Sequence, residues 1–89
     1  MMTQKALFDA VASCSGLASW IGPGTVQRAL SSVGVSSFSN AVAADYQRAM
    51  PQLRARMAMY LPPAELELRC RQLEALLSDV SAAGAPQPR

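Results

Sequence analysis

The chain has 89 residues, of which 51% are hydrophobic and 16% are charged, and its formal net charge is +2. This length supports one compact domain with its own core but not two. The mildly basic balance is well short of the charge typical of nucleic-acid-binding domains. No run approaches the roughly 18 apolar residues of a membrane span, and nothing resembles a secretory signal. We therefore expect a soluble cytoplasmic protein.

The first half of the chain predicts two helices, because apolar residues recur every three or four positions. The first is expected over residues 3–19, with Thr3 as its N-cap. A turn at residues 21–24 leads into the second, over residues 25–33, and Gly34 is expected to end it in the left-handed conformation.

Two short helices or one kinked helix are expected next. A serine-rich loop precedes residues 41–50, which form a helical pattern that Ser39 or Asn40 could cap. Pro51 would break a helix interior but suits a first turn, so a separate helix over residues 51–61 is the main prediction. A single helix kinked at Pro51 is the alternative.

The last helix, over about residues 63–82, has the clearest pattern in the chain. Its apolar stripe steps by four, three, four and three residues, which is a heptad-like spacing. The stripe comprises Leu66, Cys70, Leu73, Leu77 and Val80. It is broad enough to place this helix centrally in a bundle or at a dimer seam.

The expected architecture is all-α, a compact bundle of four or five short helices. Residues 1–80 would form the single domain, and residues 81–89 a flexible tail or linker. Ion pairs between residues four apart are expected from Glu65 to Arg69 and from Glu67 to Arg71.

The segment Trp20-Ile21-Gly22-Pro23-Gly24-Thr25 is the most informative stretch. Its glycines and the helix that follows resemble the second half of a helix-hairpin-helix motif, which binds DNA phosphates through backbone N–H groups. Trp20, however, occupies the position usually held by the motif's first glycine. Nucleic-acid binding is therefore the alternative hypothesis, and its candidate residues are Gly22, Gly24, Thr25 and Arg28.

The Trp-Ile-Gly-Pro tetrad of residues 20–23 also resembles the opening of a small helical domain appended to bacterial signalling proteins, including serine/threonine kinases and response-regulator-like chains. This resemblance implies an interaction or regulatory role and carries no chemistry with it. A purely structural explanation is that the glycines permit a turn, Thr25 caps the next helix, and Trp20 packs over the corner.

Enzyme chemistry finds little support in the sequence, which contains no histidine and only one lysine, Lys5. Cys14 and Cys70 lack the spacing of a redox or zinc motif, so no catalytic residue, cofactor, metal or small-molecule substrate is expected. We interpret both cysteines as reduced thiols of the core. A disulfide between them is the alternative if their Cα atoms lie within roughly 7 Å.

Residues 45–61 form a basic amphipathic segment whose methionines could fill the core or present an adaptable surface to a partner helix. Docking to a membrane surface or to nucleic acid is a weaker interpretation. We expect a non-catalytic protein–protein interaction or oligomerisation module in a bacterial signalling or regulatory assembly, with arginines that steer an acidic partner. The partner is expected to be another protein or a second copy of this chain. The residues expected to contact it are Trp20, Ile21, Arg54, Arg56, Met57, Met59, Tyr60, Leu68 and Leu76.

Overall fold

The computed structural model describes the backbone of residues 3–84 and the side chains of residues 3–80. Within this part the chain forms four α-helices and one short 3-10 turn at Phe38–Asn40, with no strand. The all-α bundle expected from the sequence is confirmed. The helices are α1 (Gln4–Cys14), α2 (Gly22–Ser32), α3 (Ala43–Met57) and α4 (Pro63–Gly84).

Helix α1 starts as predicted and ends five residues earlier than predicted. The Thr3 hydroxyl oxygen accepts a hydrogen bond from the backbone N–H of Ala6, with 3.0 Å between oxygen and nitrogen, and so caps the helix. At the other end Gly16 has φ +76°, a left-handed conformation in which the helix cannot continue. Ser15 is fully buried there, and its hydroxyl donates to the carbonyl of Ala12 at 2.6 Å.

The Gly-Pro-Gly sequence is the first turn of α2 and not a turn before it. The helix begins at Gly22, with Pro23 in the first turn, where its missing N–H costs no helical hydrogen bond. The prediction that Thr25 caps this helix is therefore wrong, because Thr25 lies inside the helix and is buried. Gly34 has φ +89° just beyond the end of α2, as expected.

Helix α3 is a single helix that contains Pro51, so the alternative of a single helix is correct and the prediction of two separate helices is wrong. Because proline has no N–H, the carbonyl four residues before Pro51 accepts no helical hydrogen bond. Pro51 is exposed, so water can hydrate this carbonyl. Neither Ser39 nor Asn40 caps α3. The N-cap residue is Val42, whose N–H donates to the Asp45 carboxylate at 2.9 Å.

Helix α4 runs past the expected end at residue 82 and reaches Gly84. The first four residues of the predicted tail, 81–84, belong to α4, and residues 85–89 lie outside the described part. The central residues of the α4 stripe, Cys70, Leu73 and Leu77, are almost completely buried, as predicted.

One hydrophobic core lies between the helices and takes residues from each of them. The 3-10 turn closes one side, where the ring of Phe38 stacks on Phe8 with the ring centroids 4.7 Å apart. The least accessible large core side chains are Val11 of α1, Val26 and Leu30 of α2, Tyr46, Leu53 and Met57 of α3, and Leu73 and Leu77 of α4.

Contacts between helices place two loops beside the same part of α4. The Arg69 side chain lies against Gly16, just beyond the end of α1, and Arg54 in the last turn of α3 pairs with Glu67. The α1–α2 loop (residues 15–21) and the α3–α4 loop (residues 58–62) therefore flank the first turns of α4. We call this region the loop end of the bundle.

Candidate interaction surface

The loop end exposes the large apolar side chains that the core leaves out. Trp20 is 82% exposed, Met59 is 76% exposed and Tyr60 is 52% exposed. Ile21 beside Trp20 is half-buried. We call Trp20, Met59 and Tyr60 the loop-end surface.

The high exposure of Trp20 contradicts the purely structural explanation, in which this ring packs over the corner. A tryptophan that contacts so little of its own chain contributes little to the core. Such side chains are enriched at protein interfaces because they bury a large area when a partner covers them.

Met57 does not belong to the surface on which it was expected. It is completely buried in the core, because α3 continues to this residue and keeps it on the inward stripe with Leu53. Met59 comes after the helix has ended and therefore points into solvent. Leu76 is half-buried against the core and is a minor surface residue, whereas Leu68 is 46% exposed.

The two arginines expected to steer a partner have different surroundings. Arg54 is exposed and forms an ion pair with Glu67 of α4. Arg56 is half-buried, and its Nε is inaccessible and has no hydrogen-bond partner among the described residues. Because Glu67 already neutralises Arg54, the positive potential near the loop end is weaker than the sequence suggests.

The start of α2 offers few donors to a phosphate. The N–H groups of Ile21 and Gly22 both donate to the carbonyl of Ala18, at 2.9 and 2.8 Å, and the N–H of Thr25 donates to Ile21. Pro23 has no N–H. In the first turn of α2, this leaves the N–H of Gly24 without a backbone acceptor in the described part of the chain.

The two glycines of the corner have different surroundings. A Cβ on Gly22 would lie 3.3 Å from the carbonyl oxygen of Ala12, so this glycine lets α2 approach α1 closely. Gly24 has open space around it, and Arg28 is exposed. The structure therefore explains Gly22 by helix packing, without a ligand.

The expected Glu65–Arg69 ion pair is present, with Nε of Arg69 2.6 Å from the carboxylate. The expected Glu67–Arg71 pair is absent, because Glu67 pairs with Arg54 of α3 instead. Arg71 is exposed, and the described side chains offer it no ionic partner.

Both cysteines are free thiols. Burial raises the pKa of Cys14, and the nearby Arg69 only partly offsets this effect, so Cys14 lacks the lowered pKa of a reactive cysteine. Among the side chains of residues 3–80, no three cysteine or acidic groups lie close enough together to bind a metal ion. None of the helices found over residues 3–84 has the length and apolar character needed to cross a membrane.

Comparison of the chain with protein-family models, with curated proteins and with solved structures finds no match.

Among the large apolar side chains that the structure describes, one is exposed that had not been expected at the surface. Val42, the N-cap of α3, is 51% exposed at the opposite end of the bundle. The exposure of Val42 could be predicted only if the start of α3 were known. Val42 is the N-cap residue, and it comes just before the first buried position of the helix.

Proposed function

We propose that this chain is a non-catalytic protein–protein interaction or oligomerisation module. The observation that supports this most directly is the exposure of Trp20, Met59 and Tyr60 in two loops on the same end of the bundle. A Trp and a Tyr are typical hot-spot residues, and an exposed Met adapts its shape to different partners. A role in a bacterial signalling or regulatory assembly rests on the resemblance of the Trp20–Pro23 tetrad alone.

The proposal is tested with a loop-end variant that carries Trp20→Ser and Met59→Glu. Because both side chains are exposed, the variant should keep the wild-type circular dichroism spectrum and thermal unfolding curve. Gln52→Glu is the matched control, since residue 52 is exposed on α3 and the substitution adds the same single negative charge.

Two measurements read out the association. Light scattering after size-exclusion chromatography gives the mass of the full chain over a range of concentrations, and tagged baits capture partners from the native host. Trp20 is the only tryptophan, so in the wild type and the control, which keep it, a shift of its emission to shorter wavelength would additionally report that a partner covers it. We expect the wild type and the control to associate, and the loop-end variant to lose affinity by about tenfold or more. Equal behaviour of the wild type and the loop-end variant in both measurements would overturn the proposal.

The alternative, nucleic-acid binding at the start of α2, predicts a different result. Duplex DNA would bind the wild type with an affinity that falls as salt rises, and Arg28→Ala would abolish the binding. A fluorescence-polarisation titration that gave this result would replace the interaction proposal.

A further inference from the structure

The outer face of α4 is a second exposed surface, which carries one large apolar side chain, Leu68, and shares no residue with the loop-end surface. Successive residues of a helix are turned by about 100°, so Ala64, Leu68, Arg71, Ala75 and Asp79 fall within an arc of about 80°. All five are exposed. The arc lies on the side of α4 opposite to the buried stripe of Cys70, Leu73 and Leu77. We call these five residues the outer α4 face.

The two charges on this face have no partner in their own chain among the described residues. Glu67, which local spacing would pair with Arg71, is bound to Arg54 of α3. Asp79 likewise forms no ion pair with any described side chain. A cation and an anion therefore flank Ala75, four residues to either side of it.

We propose that a second copy of this chain packs on the outer α4 face, with the two α4 helices antiparallel and related by a two-fold axis near Ala75. In this arrangement Arg71 faces Asp79 of the partner subunit, and the reverse pair forms by symmetry. In a parallel pair Arg71 would face Arg71 of the partner subunit, so the charge pattern selects the antiparallel orientation.

The side chains suit a close approach of two helices. Ala75 at the axis is small, so the helix backbones can come near each other. About an axis at Ala75, the described side chains that face each other run from Arg71 to Asp79, which is about 12 Å of each helix. This buries less than the roughly 800 Å² per partner of a standard interface, so we expect a weak, reversible dimer.

This inference rests on the proposed function, since it names a second copy as one partner, but it uses residues outside the loop-end surface. It is tested by sedimentation velocity of the full chain at rising protein concentration and at low and high salt. The variants are Arg71→Glu, Asp79→Arg and the double charge swap R71E/D79R. Glu74→Arg is the control for D79R, because it makes the same change in charge on α4 outside the outer face.

We expect the wild type and Glu74→Arg to dimerise, and each single swap to weaken dimerisation by about tenfold or more. The double swap should restore dimerisation, because the two positions then exchange their charges and opposite charges face each other again across the two-fold axis. A wild type that stays monomeric at every concentration, single swaps that dimerise normally, or a double swap that fails to restore the dimer would each overturn the inference.

The loop-end variant separates this inference from the proposed function. If it dimerises like the wild type but captures no partner, both surfaces act independently and both proposals hold. If the charge swaps have no effect while the loop-end variant loses association, only the outer α4 face is wrong. If neither set of variants changes any association, both proposals fail.

Discussion

Arg69 of α4 lies directly across Gly16, the residue that ends α1. A Cβ built on Gly16 would come 2.6 Å from Nε of Arg69 and 3.0 Å from its Cδ, and Gly16 has φ +76°. The guanidinium is held in this place by Glu65, 2.6 Å away. The contact between the end of α1 and the first turns of α4 therefore depends on a residue without a side chain.

Substitution of Gly16 by alanine should destabilise the protein more than the same change at Gly34. Both glycines have positive φ, which costs an alanine about 1–2 kcal/mol. Only Gly16 also meets a side chain, since nothing lies within 4 Å of a Cβ on Gly34. We expect Gly34→Ala to lower the free energy of unfolding by about 1 kcal/mol and Gly16→Ala by about 1 kcal/mol more. Urea denaturation measures both, and equal losses would show that Arg69 moves aside freely.

The two glycines at the start of α2 should respond to alanine in opposite directions. Gly24 is helical and surrounded by open space, so Gly24→Ala should raise the free energy of unfolding by about 0.5–1 kcal/mol, because alanine loses less conformational entropy. Gly22→Ala should lower it by about 1 kcal/mol, because the new Cβ presses on the Ala12 carbonyl oxygen of α1. Thermal unfolding of both variants measures these two changes in stability. A gain at Gly22 equal to that at Gly24 would show that α1 and α2 are not in tight contact there.

Most of the helical core could be predicted from the sequence, because burial along a helix follows a fixed period. The stripe of α4 is the clearest example, and its central residues are the buried ones. Helix ends were harder to predict, since they depend on single residues. Gly16 ends α1 because it adopts a positive φ, whereas Gly22 is the first residue of α2 and lets that helix pack closely on α1.

The surface could be predicted only in part, because exposure depends on where each helix ends and what it packs against. Met57 and Met59 are two residues apart in sequence, yet one is buried and the other exposed, since α3 ends between them. The ionic partner of Glu67 is Arg54, 13 residues away, and no local spacing rule identifies such a pair. Sequence reasoning therefore placed Trp20, Met59 and Tyr60 among the candidate contacts but also included Met57.

Asp45 should stabilise the start of α3 in a pH-dependent way. Its carboxylate accepts the N–H of Val42 and pairs with Arg48, and the hydrogen bond from Val42 is the main reason that its pKa is lowered. Asp45→Ala should lower the free energy of unfolding at neutral pH by about 1 kcal/mol.

This contribution has a defined pH window. Because the pKa is lower in the folded state, the stabilisation is complete above the unfolded-state pKa of about 3.9 and is lost as the pH falls through the lowered folded-state value. The difference between the wild type and Asp45→Ala should therefore shrink in acid. Chemical denaturation at a series of pH values measures it, and a difference that stayed constant down to the lowest pH would contradict the role of the charge.

The hydroxyl of Tyr46 should be dispensable for stability. Tyr46 is buried in the core, and its hydroxyl has no hydrogen-bond partner among the described residues. A buried polar group without a partner costs about 1–3 kcal/mol, so Tyr46→Phe should raise the free energy of unfolding by about 1 kcal/mol. Tyr60→Phe is the control, because the Tyr60 side chain is exposed and its change should have little effect.

The same residue predicts a difference at alkaline pH. Burial raises the pKa of Tyr46 to about 12, and the nearby Asp45 and Asp9 add to this effect. Above about pH 10 the phenol ionises in the unfolded chain while it stays protonated in the folded one, so stability falls as the pH rises. Denaturation measured between about pH 9 and 11 should show a steeper decline for the wild type than for Tyr46→Phe, by at most about 1.4 kcal/mol per pH unit. Parallel declines would mean that the Tyr46 hydroxyl reaches solvent or a hydrogen-bond donor in the folded protein.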